Sequence, residues 1–212
     1  MARFFQSLNR AAKERPFLTS CVVTTGKAMG ADLLIQSQVE KAEKIDKRRV
    51  ALFATFGFLY QGVFQYYCMN KIFEKLYPGL SLANVTKKVI ITNFVLDPVF
   101  FFPTFYTFRE FLNTGSFTAQ TVTDALGTYY QNFAVDWTNS WSVWFPGHAV
   151  TYGLMPTHLR MPWVAFSSFG YVGLLSWTRG SYAKQDRRPI EDAFFQSEPL
   201  AVSPRLRPAK SL

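Results

Sequence analysis

Charge is what the centre of this 212-residue chain lacks. No Asp, Glu, Lys or Arg occurs from Val50 to Asn70, from Trp137 to Leu159 or from Met161 to Thr178, and Val89 to Phe108 holds one acid, Asp97. Charged residues make up 17% of the chain, against the roughly 25% usual in soluble domains. Cysteine is scarce too: Cys21 and Cys68 both fall in apolar segments and form no CxxC pair, which leaves a zinc site or catalytic thiol unsupported. The two histidines, His148 and His158, have no carboxylate at metal-ligand spacing. No GxxxxGK[ST] surrounds Gly26-Lys27, so no nucleotide site is predicted. Thr24, Thr25 and Ser176 are lone hydroxyls without a base and an orienter, and the chain is expected to be no enzyme and to need no cofactor or metal.

What is present is apolar and aromatic. With 22 Phe, 10 Tyr and 5 Trp, the chain has ample surface to bury, which excludes global disorder. Each uncharged run is about the length that crosses a bilayer as a helix, roughly 20 residues at 1.5 Å each. Soluble helices show an apolar stripe against a charged face, yet Val50 to Tyr60 is apolar or aromatic all round. The mean hydropathy of +0.02 hides this because most bases lie before residue 50 or after residue 178. The expected fold is all-α, a polytopic membrane helix bundle of about four transmembrane helices plus a Pro-broken segment. One membrane-embedded domain covers residues 1–178, and 179–212 form a polar tail.

Within the bundle, Phe17 to Val39 carries Lys27 and Asp32, which should face the interior or a polar cavity. Asp97 and Arg160 join them as candidate pore-lining or structural polar residues. Gly26 and Gly30 stand one helical turn apart, a spacing that lets two backbones approach, and Gly57 and Gly62 are further packing candidates. Pro98 should kink its helix, and Pro146 and Pro156 should kink or break the segment from Trp137 to Leu159.

Residues 1–16 are basic, with Phe4, Phe5, Leu8, Ala11 and Ala12 at helical spacing. They resemble a mitochondrial targeting segment or an interfacial helix and are read as an uncleaved amphipathic surface helix. The Pro- and Arg-rich tail is flexible by composition and suggests a partner to lie against. A net charge of +9 confined to ends and loops fits anionic lipid headgroups, cardiolipin included, and not nucleic acid.

Read in order, these features resemble one family. Pro16, Thr19, Gly26, Ala31-Asp32 and Gln36, then Asp46, Arg49, Gly57 and Gly62, then Lys88 and Pro98, then Pro146, Pro156, Arg160 and Leu175-Ser176-Trp177 resemble the successive blocks of the Mpv-seventeen and peroxisomal-membrane-protein-twenty-two family. The resemblance runs over residues 8 to 178. It implies a small integral protein of the inner mitochondrial or peroxisomal membrane, with four spans and a proposed channel activity. Several polar family positions are apolar or neutral here, among them Thr92-Asn93 for Asp-Gln, Phe145 for Trp, and Ala149 and Tyr152 for a glutamine and an asparagine. These replacements turn the expectation toward a non-enzymatic accessory subunit of a large inner-mitochondrial-membrane assembly, a respiratory or ATP synthase complex. Its partners would be membrane lipids and other membrane subunits. A channel or carrier for small solutes is the alternative.

Overall fold

The computed structural model describes residues 2–180, and every regular element among them is helical. Helix α1 (Ala2–Glu14) leads through Arg15 into α2, which is Pro16–Leu34 extended by wider π-type turns over Ile35–Val39. Helix α3 covers 47–76, α4 is Leu82–Thr114 and α5 is Ala119–Gly153. One 3₁₀ turn, Thr157–Leu159, then precedes α6 (Arg160–Gly180). The tail from 181 onward lies outside the described residues.

Side-chain chemistry sets these boundaries. Pro16 opens α2 at a position where a helix has no use for its N–H. The Asp46 carboxylate caps α3 by accepting from the backbone N–H groups of Arg48 at 2.9 Å and Arg49 at 3.1 Å. Ser81 caps α4, and Thr118 with Thr121 forms a reciprocal cap on α5. Helix α4 stops at Gly115, whose φ of +71° is a left-handed conformation that favours glycine.

The prolines act differently from one another. Pro98 lies in a stretch of π-type turns, Thr92–Phe101, where backbone N–H groups reach five residues back. The N–H that Pro98 lacks would have served Asn93 O, and the Trp137 indole Nε1 donates to that oxygen instead, at 3.0 Å. The Tyr129 hydroxyl donates to Pro98 O at 2.7 Å. Pro146, expected to kink or break its segment, does not break it: α5 runs through it to Gly153. A proline removes one donor per helix, a loss that a long helix held by neighbours on both sides absorbs. The chain turns instead just before Pro156.

Helix α2 packs on α3 and α6, α4 packs on α5, and α5 also meets α6. Aromatic pairs join α3 to α4: Phe53 with Phe108, Phe56 with Phe101 and Phe105, and Phe64 with Phe100. Helix α1 rests on α2 and on the turn before α6, where Asn9 Oδ1 lies 2.9 Å from His158 Nε2. Its Ala12 is buried while Arg3, Arg10 and Lys13 are exposed, as a surface helix requires. The closest α2–α3 approach occurs at Gly57 and Gly62. A Cβ at Gly57 would stand 2.7 Å from Ala28 Cβ, and one at Gly62 would stand 2.9 Å from Cys21 Cα. At Gly26 a Cβ would meet nothing, and at Gly30 only the Phe169 ring at 3.8 Å.

The distribution of polarity is inverted relative to a soluble domain. Arg160, Tyr152 and Lys88 head the fully buried side chains, whereas Val22, Leu59, Val99, Tyr130 and Leu154 lie on the outside. Among the described helices one, Leu82–Thr114, qualifies as a membrane span by length and hydropathy, so on that criterion the expected four spans become one. The other helices fall short because their inward faces carry polar groups: Lys27 and Asp32 on α2, Gln61 and Gln65 on α3, Asp136 and His148 on α5. An average taken around the helix counts those inward groups equally with the apolar exterior.

Candidate functional site: a polar cavity between two ion-pair clusters

One cluster ties α2 to α3 at the end of the bundle that holds residues 40–46. Arg49 Nε donates to Asp32 Oδ1 at 2.7 Å, and Gln36 Nε2 donates to Asp32 Oδ2 at 2.7 Å. The Asp46 N–H donates to Gln36 Oε1 at 2.6 Å, and Arg49 Nη1 reaches Glu40 Oε1 at 2.9 Å. Asp32 and Gln36 lie four apart on one face of α2, the spacing that lets their side chains meet. Asp46 both caps α3 and holds Arg49 one turn inside it. Arg48 Nη2 donates to Gly115 O at 3.4 Å, which brings the α4–α5 turn to this same end.

The second cluster closes the opposite end. Glu74, the one acid among the bases of residues 71–88, accepts on Oε1 from Lys88 Nζ and from Arg160 Nη1, each at 2.5 Å. It thereby joins α3, α4 and α6. Lys88 is 0% and Arg160 1% exposed, so both cations depend on this carboxylate and on the carbonyls of Gly79 and Met69. The Arg160 guanidinium also lies 5.4 Å from the centre of the Tyr152 ring.

Between the clusters lies a partly open cavity. Thr24 and Lys27 of α2 line one wall, Gln61 and Gln65 of α3 the next, and Asp97 of α4 with Asp136, Ser140 and His148 of α5 the others. A second cavity shares Lys27, Gln61 and Phe101 with the first and reaches Asp32, Arg49 and Arg109. Lys27, Gln61 and Phe101 thus stand between the two cavities, the second of which borders the Asp32 cluster.

The wall of α5 is held by buried hydrogen bonds. The Tyr106 hydroxyl donates to Asp136 Oδ2, while Asp136 Oδ1 has no partner although the residue is 1% exposed. Asn93 Nδ2 donates to Val89 O at 2.8 Å and to His148 Nδ1 at 3.2 Å, which leaves the neutral ring's proton on Nε2. Thr92 and Tyr152 share a 2.8 Å hydroxyl contact. The pair Thr92-Asn93, read from sequence as a loss of polar character, thus forms part of a buried polar network with His148 and Tyr152.

Of the four candidate polar residues, Lys27 and Asp97 face the first cavity, Lys27 and Asp32 line the second, and Arg160 stands apart in the Glu74 cluster. Glu74, Gln61 and Asp136 were not singled out in the sequence. Glu74 had a signal in being the lone acid of a basic loop, and Asp136 in bordering the uncharged run that begins at Trp137. Among the described residues no group of three His, Cys, Asp or Glu is placed to hold a metal ion.

The profile of the Mpv17 / PMP22 family matches residues 115–176, which supports membership of the chain in that family. The match covers α5, the turn after it and most of α6. No curated protein and no solved structure gives a significant match. The family and the apolar helix α4 together support a membrane protein.

Proposed function

We propose that α2 to α6 each cross the bilayer and that the cavity among them passes small polar solutes in the manner of a channel or carrier. The observation that carries this reading is the polar interior beneath an apolar exterior. Lys27, Gln61, Gln65, Asp97 and Asp136 line internal space, and intramembrane ionisable residues mark solute pathways when they face a water-filled cavity. The expectation of an accessory subunit rested in part on lost polar positions, and a polar lining supplied from other positions weighs against that part of it. Blue-native electrophoresis after mild detergent tests the subunit reading independently: migration as a free small protein counts against it.

The basic face of α1 supports a location against anionic lipid, and the reading places the chain in the mitochondrial inner membrane with cardiolipin among its lipid contacts. The family's peroxisomal location is the alternative. In planar bilayers the purified protein is expected to raise conductance, and Asp97→Asn is expected to change its magnitude or ion preference. Equal currents from the wild type and this variant would overturn the assignment of Asp97 to the path.

A further inference from the structure

We propose that the cavity takes a small zwitterion, its ammonium toward Asp97 and Asp136 and its carboxylate toward Lys27. This rests on the solute-passage reading and narrows it to a class of solute.

Three observations lead there. Lys27 and Asp97 line the same cavity from different helices, and neither side chain makes a hydrogen bond or ion pair within the described residues. An uncompensated charge inside a membrane protein is costly, and two opposite charges held apart across open space are each left without their natural partner. Asp136, buried on the same wall as His148, presents Oδ1 without a partner while Tyr106 occupies its other oxygen. Gln61 Oε1, on the α3 wall, is likewise buried without a donor. The cavity therefore offers three side chains with oxygen acceptors in want of a donor and one ammonium in want of an acceptor.

A solute bearing only positive charge would leave Lys27 uncompensated and meet its repulsion. One bearing only negative charge would meet two carboxylates against the single Lys27 ammonium of that cavity. A molecule with an ammonium and a carboxylate satisfies both walls, and the polar Gln65 and Ser140 side chains suit its hydrated remainder.

The test is uptake by proteoliposomes of phosphatidylcholine and cardiolipin carrying the full-length chain. Radiolabelled glycine and 4-aminobutyrate are the zwitterionic probes, with methylammonium, acetate and glycerol as the cationic, anionic and neutral comparators. At least one zwitterion is expected to enter roughly tenfold faster than each comparator. Lys27→Met should abolish that preference and favour methylammonium, Asp97→Asn should shift it toward acetate, and Leu59→Ala on the exterior should keep it. Unfolding temperatures identify variants that have lost their fold, for which Lys27→Gln and Asp97→Ser replace them. Equal entry of all five solutes would overturn the zwitterion inference while leaving solute passage standing. No entry above empty liposomes would overturn both. A preference unchanged in folded Lys27 and Asp97 variants would overturn the assignment of those walls.

Discussion

Replacing Glu74 with alanine is expected to cost about 3–5 kcal/mol of stability, the range for removing one member of a buried ion pair. The wild-type arrangement places one carboxylate between two cations that have almost no contact with solvent. Without it, Lys88 Nζ keeps only the Gly79 carbonyl and Arg160 Nη1 only the longer contact to Met69 O. The penalty comes from stranding the cations, more than from losing attraction. A triple variant, Glu74→Ala with Lys88→Met and Arg160→Met, should therefore be more stable than Glu74→Ala alone. Thermal unfolding in detergent checks both. A triple variant less stable than the single one would show that the cations contribute through contacts other than Glu74.

The second large effect concerns glycine. Gly57→Val and Gly62→Val should each force α2 and α3 apart, because the first added carbon already lies under 3 Å from Ala28 Cβ and Thr24 O in one case and from Cys21 Cα in the other. Overpacking of this kind costs typically 1–3 kcal/mol, and here the obstruction is backbone and short side chain, which cannot swing away. Gly26→Ala is the matched control, since its Cβ would meet nothing within 4 Å and alanine favours the helix by about 1 kcal/mol. The expected order of unfolding temperature is Gly26→Ala at or above wild type, with both valine variants well below. If Gly26→Ala destabilised as much as Gly57→Val, the α2–α3 contact would lie on a different face of α2 from the one described.

Gly26 shows where one-dimensional reading stops. Its spacing to Gly30 is a property of α2 alone, whereas the close approach is set by which face of α2 meets α3, and that face carries Ala28 and Thr24. Features that depend on one helix were legible: the uncharged runs became helices. The meeting of Asp46 and Arg49 with Asp32 and Gln36 was not, although both pairs sit near the same short connection. The Glu74 cluster was not legible, because Arg160 is brought to Glu74 from 86 residues away by the packing of α6. The cavity was half legible. Lys27 and Asp97 stood out as charges in apolar runs, but Gln61 and Asp136 are ordinary polar residues until their unpartnered oxygens are placed in the same space. Pro146 does not end α5, because a helix packed along its length can carry a proline that would usually end a helix in water.

The central claim is that an aqueous cavity lies within a membrane-embedded bundle, and cysteine accessibility tests it most directly. In a background with Cys21→Ser and Cys68→Ser, Gln65→Cys and Ser140→Cys would face the cavity, while Leu59→Cys and Val99→Cys would face lipid. With intact proteoliposomes and a charged, membrane-impermeant thiol reagent, the account predicts labelling at the first two positions and none at the last two. Labelling of Leu59→Cys and Val99→Cys with no reaction at Gln65→Cys and Ser140→Cys would contradict it, since the apolar face would then be the one in water.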